Sequence, residues 1–369
     1  MSDNNKTFFI TGGGTGGHIY PAVAVADELA KEGYTIYYVG NPKNLEYNIV
    51  SQKNYEFLPV NVHGMPRKLS FALIKWTLQL FVAVLKSIIY IIKYKPDAIF
   101  GTGGYVSAPA MIAGKLLNKP YMMHDCDAQP GLVTRKLGTY AKAVSLAFES
   151  ASKFIKNKNI YINGNPIRPQ FQTLTKNEAR QKLKLADKLT LCVMGGSQGA
   201  RTINDATVFM LKKLSTEYNL QIIFQTGKKN FERVIEQIIR VYPEYETDNN
   251  IIIKPYIEDM VTVLKASDIA ISRAGSLSIS EIEAAGLASI LIPYPHAAAD
   301  HQRKNAKFME EKGAALYLED SQTDEIHLME LLEVLINNHD KLKDLQTNAQ
   351  KLAKYDGVNK IVEQLVNIN

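Results

Sequence analysis

The segment Thr11-Gly-Gly-Gly-Thr-Gly-Gly-His18 sets five glycines ahead of a histidine. Glycines let a backbone approach an anionic or sugar-bearing ligand, and the amides at a following helix N-terminus add hydrogen bonds and a positive dipole end. His18 can accept a proton near neutral pH, so the segment suits anion binding beside general-base chemistry. A second loop, Gly195-Gly-Ser-Gln-Gly-Ala200, follows about 180 residues later with the same strand, glycine loop, helix order. The alternative reading of the first loop is a tight turn between a strand and a helix, with no ligand.

Gly12, Gly14 and Gly17 satisfy G-x-G-x-x-G, a weak match to a dinucleotide site. That site also needs an acid at the end of the second strand to hold a ribose. The second strand, 35–39, runs instead into Gly40, Asn41, Pro42 and Lys43, which argues against nicotinamide or flavin binding. Neither loop contains G-x-x-x-x-G-K-[ST], which argues against a P-loop nucleotidase.

The elements that must position these loops alternate. Strands are expected at 7–11, 35–39, 56–60, 97–100, 120–123, 143–147 and 160–162. Helices are expected at 22–31, 44–52, 69–93, 105–117 and 131–140, giving a parallel sheet with helices on both faces. Asn163-Gly-Asn-Pro-Ile-Arg-Pro169 is dense in turn residues and reads as a linker. The second half repeats the theme with strands near 189–194, 220–225, 251–253, 268–272, 288–293 and 314–318. Residues from about 322 onward read as helical. The expected fold is two Rossmann-like, doubly wound α/β domains facing a cleft: 1–163, 164–340, and a C-terminal helical segment 341–369 packing back on the first domain. Ligands of open parallel sheets lie beyond the carboxyl ends of the strands, so the site is expected between the domains.

Composition is that of a globular protein with two cores: 46% hydrophobic and 22% charged. Cys126 and Cys192 have no metal-ligand spacing and suit a reduced, cytosolic chain. The first strand follows the polar stretch 2–6 directly, so no signal peptide is expected. Residues 1–165 carry 18 Lys and Arg against 10 Asp and Glu, and residues 166–369 carry 25 against 27. The basic first half lacks zinc spacing, aromatic RNA-binding patterns or a dense basic block, so an anionic membrane surface is a better partner than nucleic acid. The helix expected over 69–93 is mostly apolar, with Lys75, Lys86 and Lys93 on one stripe. Lys86 near its middle argues against a transmembrane span. An interfacial contact, begun by Arg67 and Lys68, is expected instead.

With these residues in place the chain resembles the MurG family. The segments that carry the resemblance, in family order over about nine tenths of the chain, are Gly12-Gly-Gly-Thr-Gly-Gly-His-Ile-Tyr-Pro21, Gly101-Thr-Gly-Gly-Tyr-Val-Ser-Ala-Pro109, Gly164-Asn-Pro-Ile-Arg168, Gly195-Gly-Ser-Gln-Gly-Ala200, Tyr256-Ile-Glu-Asp-Met260, Arg273-Ala-Gly-Ser-Leu-Ser-Ile-Ser-Glu-Ile-Glu-Ala-Ala-Gly286 and His301-Gln-Arg-Lys-Asn-Ala306. The resemblance implies a GT-B glycosyltransferase. It would move N-acetylglucosamine from UDP-N-acetylglucosamine (UDP-GlcNAc) to the C4 hydroxyl of a muramoyl-pentapeptide pyrophosphoryl-undecaprenol lipid, with inversion and without a metal or cofactor. It implies peripheral attachment to the cytoplasmic face of the cell membrane.

The same resemblance implies site residues. Thr15, Gly16, Gly17, Asp127, Arg168, Ser197, Ile257, the run Ser276, Leu277, Ser278, Ile279, Ser280, Glu281, and Gln302 would contact UDP-GlcNAc. Ile257 would pair with uracil through its backbone, Glu281 would bridge ribose hydroxyls, and Arg168 and Ser197 would meet the diphosphate. Gly13, Gly14, Gly103, Gly104 and Tyr105 would hold the acceptor pyrophosphate. His18 is the candidate base. Where the family has His-Glu-Gln-Asn, this chain has His124-Asp-Cys-Asp127, making Asp125 a rival base and placing an acid at 127 in place of an amide. Asp125 and Asp127 also spell D-x-D, which two carboxylates alone do not make a metal site. Ser278 to Glu281 also fits a capping box, in which Glu281 would bond only a backbone amide.

Three other readings remain: a UDP-GlcNAc 2-epimerase on the same double fold, a transferase acting on another lipid, and a nucleotide-sugar-binding scaffold without turnover. An epimerase needs no lipid, so the wide apolar helix and basic first half weigh against it.

Overall fold

The computed structural model describes residues 6–66, 71–196 and 198–368. The chain forms two compact units, Met1–Ile167 with Asp356–Asn369, and Arg168–Tyr355.

In the first unit, strands β1 (Thr7–Thr11), β2 (Thr35–Gly40), β3 (Glu56–Pro59), β4 (Ala98–Gly101), β5 (Tyr121–Asp125), β6 (Ala143–Leu146) and β7 (Ile160–Ile162) form one parallel sheet. Its order is β3-β2-β1-β4-β5-β6-β7. The connecting helices are α1 (Gly16–Lys31), α2 (Leu45–Val50), α3 (Phe71–Tyr94), α4 (Gly104–Leu116) and α5 (Leu132–Leu137). Alternation along the strands divides the core by face. Phe8, Ile10, Ile36, Tyr38, Phe100 and Met122 pack with α1, while Phe9, Val39, Ile99, Tyr121 and Met123 pack with residues of α3 and α4.

The second unit contains α6 (Gln170–Thr173), α7 (Lys176–Leu183), β8 (Thr190–Met194), α8 (Arg201–Thr216), β9 (Gln221–Gln225), α9 (Phe231–Val241), β10 (Ile251–Lys254), α10 (Met260–Ala266), β11 (Ile269–Ser272), α11 (Ser276–Ala285), β12 (Ala288–Leu291), α12 (His301–Glu311), β13 (Leu316–Tyr317), α13 (Glu325–Asn337) and α14 (His339–Leu352). Its parallel sheet runs β10-β9-β8-β11-β12-β13. Every residue of β8 and β9 is buried, as a central parallel strand covered on both faces requires. A last helix, α15 (Gly357–Val366), belongs to the first unit, where Ile361, Val362 and Leu365 join the α1 face of the core. The predicted C-terminal segment 341–369 is therefore divided: α14 lies in the second unit, and only the residues from 356 return to the first.

Helix α1 begins at Gly16, more than a turn before the predicted start, with Pro21 inside it. Proline has no N–H, so the carbonyl four residues earlier, Gly17, loses its helical donor. The Cys126 thiol fills that place, donating to Gly17 O at 3.0 Å.

Helix α3 is long and apolar enough to cross a membrane, yet only Ala83, Val84, Ser87 and Ile91 are buried. Phe71, Ile74, Leu78, Phe81, Val82, Leu85, Ile89 and Ile92 all point to solvent, with Phe71 90% exposed. The spacing repeats every three to four residues, so these side chains form one continuous stripe. Lys75 and Lys93 are exposed and Lys86 is half-buried. Arg67 and Lys68 lie outside the described residues.

Candidate active site

In the first unit the two glycine-bearing loops leave the carboxyl ends of β1 and β4, neighbours at the point where strand order reverses. Open parallel sheets bind ligands at such a switch point. Thr15 precedes α1 with extended backbone, and its carbonyl accepts from the N–H groups of His18 and Ile19, both at 3.1 Å. Its hydroxyl lies 2.9 Å from His18 Nδ1. The His18 carbonyl accepts from the Thr102 hydroxyl at 2.6 Å, which binds the first loop to the second. A Cβ at Gly104 would stand 3.3 Å from His18 Nδ1, so glycine there keeps the β4 loop close against the imidazole.

Below this loop lies Glu46, fully buried. It accepts from the N–H of Gly14 at 3.2 Å and of Asn41 at 3.2 Å. Gly14 has φ +84°, in the left-handed region that glycine favours. Tyr105 Oη accepts from Asn44 Nδ2 at 3.1 Å. The structure thus gathers Gly13, Gly14, Thr15, Gly16, Gly17, His18, Gly103, Gly104 and Tyr105 at one switch point.

The end of β5 is interior. His124 Nε2 faces Asn165 Oδ1 at 3.3 Å and Nδ1 faces Ser145 Oγ at 3.0 Å. An amide oxygen only accepts, so Nε2 carries the proton and Nδ1 accepts from the hydroxyl. Burial pushes this imidazole down to about 4, and it is neutral at pH 7. Asp125 is buried as well; its Oδ1 accepts from Asp127 N–H at 3.3 Å and its Oδ2 from Gly131 N–H at 3.0 Å. Burial, then the Asp127 charge, pushes its carboxyl up to about 7. Both oxygens brace the loop that follows β5. Asp127 is half-buried in that loop.

In the second unit the corresponding loops leave β8 and β11, again neighbours across the reversal of strand order. Gly199 N–H donates to Gly196 O at 3.0 Å, closing the turn. Gly199 has φ +74°, and a Cβ there would overlap the Thr226 carbonyl, so only glycine fits. Asn204, in the first turn of α8, donates to the same carbonyl at 2.9 Å. Ser197 lies outside the described residues.

Helix α11 starts at Ser276 after Gly275, so Ser278 and Glu281 lie within the helix and the capping box is not formed. Glu281 Oε1 instead accepts from Arg168 Nη2 at 2.8 Å. Burial raises the Glu281 carboxyl above its ordinary range, and the Arg168 charge opposes that shift. Ile257 N–H donates to Gln225 Oε1 at 2.7 Å. Gln302 Oε1 accepts from Tyr294 N–H at 2.9 Å. Just before it, Ala299 and Asp300 have φ of 52° and 57°, left-handed conformations that non-glycine residues adopt at some cost.

The glycosyltransferase family 28 N-terminal domain matches residues 8–146 and the C-terminal domain of the same family matches residues 190–361. A relative from Desulforamulus reducens, named UDP-N-acetylglucosamine--N-acetylmuramyl-(pentapeptide) pyrophosphoryl-undecaprenol N-acetylglucosamine transferase, is 38% identical over 358 residues, covering 96% of each chain. One of the same name from Thermoanaerobacter sp. is 36% identical over 98% of this chain and 99% of its own. The crystal structure of Acinetobacter baumannii MurG superposes with a TM-score of 0.81 at 27% identity, covering 98% of this chain and 99% of that one. The chain belongs to the MurG family. A UDP-GlcNAc 2-epimerase from Neisseria meningitidis shares the fold alone, at a TM-score of 0.66 and 14% identity.

Against this MurG-family frame, three residues to which the sequence assigns no site role prove to hold the loops: Glu46 under the first glycine loop, Cys126 on the Gly17 carbonyl, and Gln225 beside the second loop. An acid at the start of a short helix and a polar residue ending an apolar strand are the only signals the sequence carries for Glu46 and Gln225. Arg273, inside a family motif, is a structural clamp: its guanidinium reaches Asp320, the Thr202 hydroxyl and the carbonyls of Ile292 and Pro293.

Proposed function

We propose that this protein is the N-acetylglucosamine transferase that converts the undecaprenyl-pyrophosphoryl muramoyl-pentapeptide into its disaccharide form, using UDP-GlcNAc. The observation that carries this reading is the likeness to relatives of that name, which runs the length of both units and both pairs of switch-point loops. The acceptor C4 oxygen forms a bond to the anomeric carbon as the bond from that carbon to the diphosphate oxygen breaks. UDP leaves with the electron pair, and the configuration inverts.

The acceptor proton goes to His18. The Thr15 hydroxyl lies 2.9 Å from Nδ1, and in the tautomer where it accepts from Nδ1–H the lone pair is on Nε2, free to take the acceptor proton. Asp125 is the weaker candidate, since both its oxygens already accept backbone N–H groups in a buried setting. Thr15, Gly16, Gly17, Asp127, Ser197 and Gln302 keep their roles toward UDP-GlcNAc as part of the proposal, as do Gly13, Gly14, Gly103, Gly104 and Tyr105 toward the acceptor pyrophosphate. Charge on the departing diphosphate is met by loop amides, the α8 N-terminus and Arg168, groups already in place before the reaction. Glu281 holds the ribose.

Attachment to an anionic membrane surface is the second part of the proposal. The exposed stripe of α3, with the basic excess of residues 1–165, supports a helix lying in the headgroup region. Incubation with UDP-GlcNAc alone and then with the muramoyl-pentapeptide lipid in vesicles tests the reading. Lipid-dependent UDP release supports it. Epimerised sugar nucleotide without lipid, or binding with no turnover in either condition, overturns it.

A further inference from the structure

Gln225 ends β9 with its side chain 3% exposed, and both ends of its amide are used. Nε2 donates to the Gly196 carbonyl in the second glycine loop at 3.2 Å, and Oε1 accepts from the N–H of Ile257 at 2.7 Å. The two partners differ in kind, one acceptor and one donor, so they fix which way the amide points. One buried side chain therefore joins the loop assigned to the diphosphate and the backbone assigned to the base.

We propose that Gln225 is a positioning residue that sets both the spacing between these two subsites and the choice of base. This rests on the reading above that the second unit binds a uridine diphosphate. By holding the Ile257 N–H, Gln225 fixes the backbone orientation at Ile257 and with it the direction of the Ile257 carbonyl, an acceptor. Uracil has a donor at N3, whereas cytosine has an acceptor there, so an Ile257 carbonyl held facing N3 favours UDP over CDP. At the other end, the bond to Gly196 holds the loop carbonyl down, so that the loop amides are aimed before the diphosphate arrives. Preorganisation of this kind improves affinity by reducing what must be ordered on binding.

The two bonds are separable by substitution. Gln225→Glu keeps an acceptor for Ile257 N–H but sets a carboxylate oxygen against the Gly196 carbonyl. Gln225→Met keeps the volume and loses both bonds.

The test is titration calorimetry of the full-length protein with UDP and with CDP, alongside steady-state kinetics with UDP-GlcNAc. Gln225→Met should weaken UDP binding at least about tenfold and lower the UDP to CDP preference at least about fivefold. Gln225→Glu should weaken UDP binding by a similar factor while keeping the wild-type preference. In both, KM for UDP-GlcNAc should rise with kcat at saturating donor within about twofold. Gln225→Ala replaces Gln225→Met if the latter does not fold. Equal weakening toward both nucleotides in Gln225→Met overturns the proposal, because general loss of structure does not discriminate bases. So does UDP affinity within about threefold of wild type in a folded variant. Failure of the wild-type protein to bind UDP would instead overturn the functional reading on which the role depends.

Discussion

Arg168 and Glu281 hold each other in the second unit, guanidinium Nη2 to carboxylate Oε1 at 2.8 Å. Their side chains are 40% and 21% exposed, so the pair is open to a ligand. In the proposed reading each meets a different part of UDP, so the nucleotide would exchange this ion pair for its own contacts. Arg168→Ala should raise the UDP dissociation constant about tenfold or more, with Arg168→Lys recovering only part, because lysine lacks the planar fork. Calorimetry at two salt concentrations checks this. Wild-type affinity in Arg168→Ala would place the diphosphate elsewhere.

His18→Ala should cut turnover by about 10² or more while UDP affinity stays near wild type. Thr15→Val removes the hydroxyl beside His18 Nδ1 and should lower turnover less, about tenfold. Unchanged turnover in His18→Ala would move the base elsewhere.

Glu283, buried in α11, is pushed from an ordinary 4.5 up to about 8 by burial, against the opposing charge of Lys354. Between these values the folded protein keeps a proton that the unfolded chain has released. The stabilising contribution is therefore full below about pH 4.5 and is lost as pH rises through about 8. Glu283→Gln, neutral at all pH, should melt at least about 3 °C above wild type at pH 9, the difference shrinking toward pH 5. Thermal melts across that range check it, and an equal offset at both ends would refute the assignment.

The double substitution Leu78→Glu with Phe81→Glu changes two exposed residues of α3, 61% and 59% accessible. It should leave thermal stability almost unchanged, within about 0.5 kcal/mol, and should markedly reduce sedimentation with vesicles containing anionic lipid. Vesicle binding equal to wild type would remove α3 from the membrane contact.

The parallel sheets were legible because their strands are short apolar runs that alternate with helices, and β1, β4, β8 and β11 fall within a residue of where the pattern places them. The loops were legible for the same reason: glycines between a strand and a helix mark the carboxyl edge. Bracing was not legible. Glu46 reaches Gly14 across 32 positions, and Cys126 reaches Gly17 across 109, so only the folded chain brings them together. The start of α1 was missed because Pro21 reads as a first helical residue, whereas here a thiol from β5's loop supplies the donor that proline lacks. Glu281 was ambiguous because its spacing from Ser278 fits a local cap, and its real partner lies at Arg168, far away in sequence.

The return of α15 to the first sheet has a consequence for biosynthesis. Lys6 Nζ donates to the Val366 carbonyl at 2.7 Å, and Ile361, Val362 and Leu365 seal the face of the sheet formed by Phe8 and Ile10. On the ribosome the sheet made first stays unsealed until Gly357–Val366 emerges, while the stretch 168–355 already has all its own parts. The middle of the polypeptide can mature before its beginning does, and truncation ahead of Ile361 would leave that face of the amino-terminal sheet open although none of its own strands had been altered.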